Sequence, residues 1–320
     1  RMAVHTLLKK DEISKFLKNY RLESFQSFKG INEGIENTNY LLKTKNKNYI
    51  LTLYEKRIKK SDLPFYLSLM THSKRNGISC PVPILSKSRE SILELKKKKI
   101  SLFTFLKGKC LKNWNENHCF KIGKVLGEFH LANKNFVKKK KNDYSIESWT
   151  KLYTKCKNDM ELISPGSKSI LENELLFLKK NWPKNLPKGI IHADLFPDNI
   201  LFMKNDICGV LDFYFSCNDF FVYDLAITLN AWSFEKNIFN EKLFMSLIKG
   251  YQDVRKLTTN EKKSLNICLR GSCVRFFFTR MYDTIFSKQK KIYRNNHPNE
   301  YLKKLIFHRK NTIIKEYTFE

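Results

Sequence analysis

The apolar positions of this chain change period several times along its length. Residues 11–19, DEISKFLKN, place Ile13, Phe16 and Leu17 at helical spacing and predict a short amphipathic helix. Over 25–55 the pattern alternates (FQSFKGINEGIENTNYLLKTKNKNYILTLYE), which predicts a hairpin or a three-stranded meander with Gly30 and Gly34 bracketing its first turn. A helical period returns at Ser61, a candidate N-cap with Asp62 and Pro64 in the first turn, runs through Tyr66, Leu67 and Met70, and stops at Gly77. ISCPVPIL is extended, strands are expected over 91–95 and 100–106, and SLFTFLKG reads either as a crossing into a helical second lobe or as a core strand ending at a Gly108 turn. Beyond it Asn115 can cap a stripe of Cys119, Ile122, Leu126 and Phe129. Ser145 or Ser148 opens a second helix with Trp149, Tyr153, Cys156 and Met160, and Ser167 a third with Leu171, Leu175, Leu178 and Trp182. Residues 181–189, with two prolines, form a linker, and helices follow over 241–255 and 259–286. The predicted class is α+β in two lobes: a β-rich antiparallel-sheet lobe over 1–106 and a mostly helical lobe over 107–320.

One stretch carries chemistry. GIIHADLFPDNILFMKNDICGVLDFYF reads as a short strand (Gly189, Ile190, Ile191), a polar turn, a return (Ile200, Leu201, Phe202) and a second return (Val210, Leu211, Asp212, Phe213). Asp194 and Asn199 lie five positions apart across the turn, and Asp212 follows on the next strand. A hydroxyl attacking the γ-phosphate of ATP needs a carboxylate to orient it and take its proton, and Mg²⁺ needs hard oxygen ligands. Asp194 is the candidate base, Asn199 and Asp212 the candidate metal ligands, and His192 a buttress of the loop. Asp or Asn alone would be ordinary turn residues; the spacing H-x-D-x-x-x-x-N, followed by an apolar-flanked Asp-Phe, is that of a kinase catalytic loop and metal-binding strand. In such a lobe the turn at Gly30 and Gly34 would close over the phosphates, and Thr104, Phe105 and Leu106 would offer backbone groups to adenine. Kinases also place a lysine on the third strand, paired with a helix glutamate. Here Thr52 stands in that place and the following helix lacks glutamate, so Lys43, Lys56 or Arg57 would have to substitute. Asp224 can cap the next helix or brace the catalytic loop. Arg275 and Arg280 lie in an apolar run, where they either pair with Asp283 and similar groups or meet a substrate carboxylate.

The formal charge of +29 comes mostly from lysine, alongside abundant Asn, Ile, Phe and Tyr, as a codon bias toward A and T would produce. The lysine runs at 96–99 and 138–141 have no interleaved aromatics to stack bases, so they read as solvated turns and no nucleic-acid partner is expected. The charge still concentrates anionic nucleotides. None of the eight cysteines forms a C-x-x-C pair; they read as small buried hydrophobes in a reducing compartment, and no zinc site is expected. With no run near the ~18 apolar residues of a membrane span and no signal-peptide core, a soluble cytoplasmic protein is expected.

HADLFPDN, LDFYF and YDLA together resemble the aminoglycoside phosphotransferase and choline kinase superfamily, which has a protein-kinase-like fold. More narrowly, FKGINEGIENTNYLL, YILTLYE, DLPFYLSLM, CPVPI, DFYFSCND, YDLAITLNAWSFE and RFFFTRMYD resemble its homoserine kinase branch, over nearly all of 2–286. That resemblance implies dependence on ATP and Mg²⁺, phosphorylation of the side-chain hydroxyl of L-homoserine, and a place in threonine biosynthesis. The lysine–glutamate pair is the departure from the wider superfamily, and Thr52 is characteristic of this branch. Homoserine carries an ammonium and a carboxylate, so its pocket should hold an acidic or amide group and a cation; candidates are Asn230, Trp232, Glu235, Arg275, Arg280 and Asp283. The alternatives are a kinase of the same fold for choline, methylthioribose or an aminoglycoside, a nucleotide-binding module of weak activity, and an RNA-associated protein.

Overall fold

A computed structural model describes residues 6–31, 37–55, 58–286 and 297–311. They fall into two compact units, one from the described parts of 1–110, 136–138 and 200–214, the other from 111–135, 139–199 and 215–320.

In the first unit the amphipathic stretch forms α1 (Lys10–Leu17), started by the Glu12 carboxylate accepting the Lys9 N–H at 2.7 Å. The alternating region forms β1 (Phe25–Ile31), β2 (Thr38–Thr44) and β3 (Asn48–Leu53). A 3-10 turn at Lys60–Asp62 leads into α2 (Leu63–Arg75), so Asp62 and not Ser61 is the N-cap. β4 (Leu93–Leu95) and β5 (Lys98–Thr104) complete an antiparallel sheet of order β1-β2-β3-β5-β4. The lysine run makes the turn between them, with Lys96 and Lys97 both at positive φ (52° and 60°). That geometry matches the right-handed twist of a two-residue hairpin.

Strand alternation sorts the sheet into two faces. Tyr40, Leu42, Leu51, Leu53, Ile100 and Leu102 pack with Ile13, Phe16 and Leu17 of α1 in one core. Complete burial of each such aliphatic side chain is worth about 1.5–3 kcal/mol. Asn39 and Thr52 lie opposite each other on the other face. Gly30 is the last residue but one of β1, opposite Tyr40, and Gly34 lies outside the described residues.

The second unit begins with α3 (Glu116–Ala132), whose N-cap Asn115 accepts the His118 N–H at 3.1 Å. α4 (Ile146–Cys156), α5 (Met160–Ile163) and α6 (Ser167–Asn181) follow, then β6 (Lys188–Ile191). The chain returns to the first unit for β7 (Ile200–Met203) and β8 (Asp206–Val210), an antiparallel pair. β6 pairs instead with β9 (Cys217–Phe220), so the expected pairing of the strand before the polar turn with the strand after it is wrong. LDFYF is likewise no strand: β8 ends at Val210 and Phe213–Phe215 is a 3-10 turn. α7 (Phe221–Trp232), the small hairpin β10 (Phe234–Glu235) and β11 (Ile238–Phe239), α8 (Glu241–Val254), α9 (Thr259–Phe286) and α10 (Asn299–Lys310) complete the unit. α3 and α8 meet backbone to backbone, since a Cβ on Gly123 would lie 1.9 Å from the Leu247 carbonyl oxygen and one on Gly250 1.9 Å from that of Phe120. Among the described residues no helix is long and apolar enough to cross a membrane.

Candidate active site

β6 delivers the chain to His192 inside the second unit, and Ala193 turns it at φ +65°, a strained value for a residue with a Cβ. Backbone groups in such a turn have no strand partner, and buried ones must be matched. Side chains of α7 and α9 match four of them. The Asp224 carboxylate, fully buried near the start of α7, accepts the His192 N–H at 2.7 Å and the Ala193 N–H at 2.8 Å. Arg275 of α9 donates through Nη1 to the Ala193 carbonyl at 2.8 Å, and Trp232 of α7 donates through Nε1 to the Leu195 carbonyl at 2.8 Å. Asp224 therefore braces the loop and makes no side-chain cap of α7.

Behind Asp224 runs a buried polar chain. His130 Nε2 lies 2.9 Å from Asp224, His130 Nδ1 lies 2.8 Å from the Tyr251 hydroxyl, Arg255 reaches that hydroxyl at 3.1 Å, and Arg255 pairs with buried Glu261 at 2.8 Å. Burial works against charge on either member of the first pair and lowers the His130 pKa, so the ring is neutral. Burial would raise the Asp224 pKa, but the hydrogen bonds from His130 and the His192 N–H outweigh it and hold the carboxyl below its usual range. A neutral imidazole donating from Nε2 and accepting at Nδ1 satisfies every group in the chain.

The loop so fixed carries Asp194, half-buried, with its own N–H directed at His192 Nδ1 at 3.3 Å. Asn199 donates its amide nitrogen to the Asp194 carbonyl (2.8 Å) and to Asp194 Oδ2 (3.1 Å). This couples the two residues and leaves Asn199 Oδ1 without a hydrogen-bond partner among the described residues. His192 is fully buried, its ring 5.7 Å from that of Phe129.

In the first unit, Asp212 follows β8 at φ +55° and accepts from the Tyr214 N–H at 3.4 Å. Tyr214 is held by an aromatic group: its ring lies 5.8 Å from Tyr54 and 5.6 Å from Tyr66, and its hydroxyl reaches that of Tyr54 at 3.3 Å. Thr52, where kinases carry a lysine, donates its hydroxyl to Asn39 Oδ1 at 2.7 Å, which fixes the Asn39 amide with its –NH₂ as the end away from that bond. Lys43 is exposed and pairs in register with Ser27 and Asn48, four residues along β2 from Asn39, or ~13 Å at a strand's rise. Lys56 and Arg57 lie outside the described residues. The Thr104 N–H is bonded to the Val82 carbonyl at 3.0 Å, so it has no donor to spare for adenine; Phe105 and Leu106 follow as half-buried residues.

The acceptor candidates are redistributed. Asn230 is buried between the Leu269 carbonyl (2.9 Å) and His308 Nε2 (2.8 Å), and Trp232 is fully buried against Leu195. Arg275 is 1% exposed, with Tyr144, Phe215 and Phe276 rings around its guanidinium at 4.6–5.6 Å. It bonds the loop backbone, and neither of the two partners expected from sequence is the one observed. Arg280, its side chain 14% exposed, pairs with Glu300 of α10 at 2.5 Å. Asp283 and Glu235 stand partly exposed and exposed, respectively. Glu300 escaped the sequence reading because α10 did, although YLKKLIFHRK has helical periodicity.

Residues 27–256 match the phosphotransferase enzyme family. The chain is 43% identical to the homoserine kinase of Agrobacterium fabrum over 317 residues, covering 99% of this chain and 98% of that one. The chain belongs to the phosphotransferase enzyme family, in its homoserine kinase branch. The homoserine kinase of Chelativorans sp. is 43% identical over 320 residues, covering 100% of this chain and 99% of its own. The family's fold extends to distant solved structures. Amicoumacin kinase hAmiN, solved with AMP-PNP and Ca²⁺, superposes with a TM-score of 0.74 at 16% identity, covering 97% of this chain and 98% of that one. Choline kinase LicA from Streptococcus pneumoniae superposes with a TM-score of 0.65 at 18% identity, covering 93% of this chain and 97% of that one. The two-lobed α+β architecture predicted from sequence, antiparallel sheet first and helices second, is the one found.

Proposed function

We propose that this chain transfers the γ-phosphoryl group of ATP to the side-chain hydroxyl of L-homoserine, giving O-phospho-L-homoserine and ADP. The near-full-length identity of 42–43% to homoserine kinases carries the reading, because it spans both units rather than one motif. Asp194 takes the proton of the attacking hydroxyl. Its loop is pinned at His192, Ala193 and Leu195, and Asn199 holds Oδ2, so the carboxylate is oriented before the acceptor arrives.

Asn199 and Asp212 are the residues that would hold Mg²⁺. The amide nitrogen of Asn199 is committed to Asp194, which presents the carbonyl oxygen a hard cation requires, and Asp212 adds a carboxylate. An ion held by one amide oxygen and one carboxylate would complete its shell with phosphate oxygens and water. Magnesium, when bound, supplies positive charge to the polyphosphate. At the lysine's usual place the Thr52–Asn39 pair offers neutral amide donors toward a phosphate, a reading supported by the fixed orientation of Asn39.

The test is ADP release from Mg²⁺ and ATP with L-homoserine, choline, methylthioribose or kanamycin as acceptor, with Asp194→Asn as control. Turnover with homoserine, reduced at least ~100-fold in a variant that still binds ATP, is expected. Turnover with another acceptor alone would replace homoserine in the reading, and loss of ATP binding in the folded variant would remove Asp194 from the role of base.

A further inference from the structure

Arg280 lies one helical turn beyond Phe276 on α9, and Phe276 ties α9 to its surroundings at this point. Its ring is 5.0 Å from Phe196 of the catalytic loop and 5.1 Å from Tyr301 of α10, stacked on the latter. The Phe196–Phe276–Tyr301 ladder thus brings the first turn of α10 beside the catalytic loop. There Arg280 Nη1 meets Glu300 Oε2 at 2.5 Å, with its guanidinium 4.6 Å above the Tyr301 ring. Glu300 Oε1 receives Lys304 Nζ at 2.6 Å, and that ammonium also donates to the Asn230 carbonyl at 2.9 Å. Asp198, in the same loop as Asp194, is near enough for the Arg280 charge to act on it.

A purely structural arginine–carboxylate pair in this unit looks different. Arg270 engages Glu174 through two parallel bonds, Nε to Oε1 at 2.6 Å and Nη2 to Oε2 at 2.7 Å, and the Glu174 side chain is 1% exposed. Arg280 uses a single nitrogen on Glu300, its other guanidinium nitrogens have no hydrogen-bond partner among the described residues, and the Glu300 side chain is 31% exposed. Lys304, 3% exposed, is sealed behind them and holds Glu300 in place. The two arginine side chains are equally exposed, at 14%; what sets this pair apart is a guanidinium engaged through one nitrogen only, beside a carboxylate that solvent reaches, at the catalytic loop. That is the complement of a zwitterion, with the fork geometry suited to a carboxylate and the carboxylate suited to an ammonium.

Resting on the reading of an amino-acid acceptor above, we propose that Arg280 binds the α-carboxylate and Glu300 the α-ammonium of the acceptor, with Lys304 as a positioning residue. The chain then selects free hydroxy amino acids by reading both charged ends. Choline, with no carboxylate, leaves Arg280 unanswered.

Two analogues of homoserine each lack one end: 4-hydroxybutyrate has no ammonium, and 3-aminopropan-1-ol has no carboxylate. Full-length protein is assayed with Mg²⁺ and ATP on all three acceptors. In Glu300→Gln the preference for homoserine over 4-hydroxybutyrate, as a ratio of kcat/KM, falls about 10- to 100-fold; in Arg280→Gln the preference over 3-aminopropan-1-ol falls by a similar factor. Because each ratio is internal to one variant, partial loss of folded protein cancels. Glu300→Asp, which keeps the charge and withdraws it by one methylene, gives a smaller fall in the same ratio should Glu300→Gln not fold. Homoserine turnover in the wild type with both ratios unchanged in the variants would overturn this assignment alone. No homoserine turnover in the wild type would overturn the functional reading and this inference with it.

Discussion

His308 should make the stability of the second unit fall on mild acidification. Its Nε2 lies 2.8 Å from Asn230 Oδ1, and the residue is 1% exposed. Asn230 Nδ2 donates to the Leu269 carbonyl at 2.9 Å, so Oδ1 is the atom facing the ring and Nε2 carries the proton. Nδ1 is then a buried nitrogen without a partner among the described residues. Protonating it would place a charge in the interior, with Lys304 and Arg270 nearby. Burial first, and those two cations next, take the pKa from 6.5 to about 3. The unfolded chain binds this proton below about 6.5 and the native one does not until about 3. The contribution to stability is therefore complete above about 6.5 and is lost progressively as the pH falls toward 3. Between pH 7 and 5 the linkage relation gives a loss of about 2 kcal/mol, a sizeable part of a typical ~5–15 kcal/mol. All four tryptophans, Trp114, Trp149, Trp182 and Trp232, belong to the second unit, so their fluorescence during urea unfolding reports on it. His308→Gln keeps a donor for Asn230 and cannot titrate. The wild type should lose about 2 kcal/mol more than the variant over that interval, and buried His130, present in both, cancels from the difference. Equal pH dependence in the two proteins would refute a neutral, buried His308.

Asp224→Asn replaces a carboxylate that accepts from three donors with an amide that has one oxygen. We expect kcat to drop about 10- to 100-fold through displacement of the loop, with the KM for ATP little changed, and steady-state kinetics showing an unaltered kcat in the folded variant would count against the brace. Gly250→Ala puts a Cβ 1.9 Å from a backbone oxygen, whereas Gly127→Ala meets the Val254 Cβ at 3.0 Å. The first should destabilise by about 3 kcal/mol or more and the second by about 1, as read by urea midpoints. The reverse ranking would mean that α3 and α8 do not cross at Gly250.

The fold was legible wherever periodicity and residue type agreed. α1, α3, α8 and α9 begin or end within a residue or two of the pattern because their apolar stripes are long enough to fix a face and Asn115 is a genuine cap. The pairing of β6 was not legible. GII and ILF are both short apolar strands flanking a turn, and nothing in four residues distinguishes a neighbour in sequence from β9, twenty-six residues beyond the strand's end. LDFYF fails for another reason: Asp212 takes a positive φ that the alternation of its neighbours cannot disclose. In the site, the meeting of His192, Asp194 and Asn199 on one turn was readable because their spacing is local. The role of Arg275 was not, because an arginine in an apolar run needs planar acceptors and aromatic faces to be buried, and a backbone carbonyl meets that need as well as any carboxylate.

The division of labour among the buried residues follows from the loop's own backbone. Between β6 and the 3-10 turn Pro197–Asn199 the chain turns with no strand beside it, yet its His192 and Ala193 N–H groups and its Ala193 and Leu195 carbonyls need partners. Asp224 and Trp232 on α7 and Arg275 on α9 supply them, and so do for this turn what a neighbouring strand does in a sheet. A side chain committed in that way cannot also take up an acceptor, which moves acceptor recognition outward along α9, past Phe276 to Arg280, and onto α10. Substitutions at the three buried positions should therefore act on kcat for every acceptor alike, while those at Arg280 and Glu300 change which acceptor is chosen.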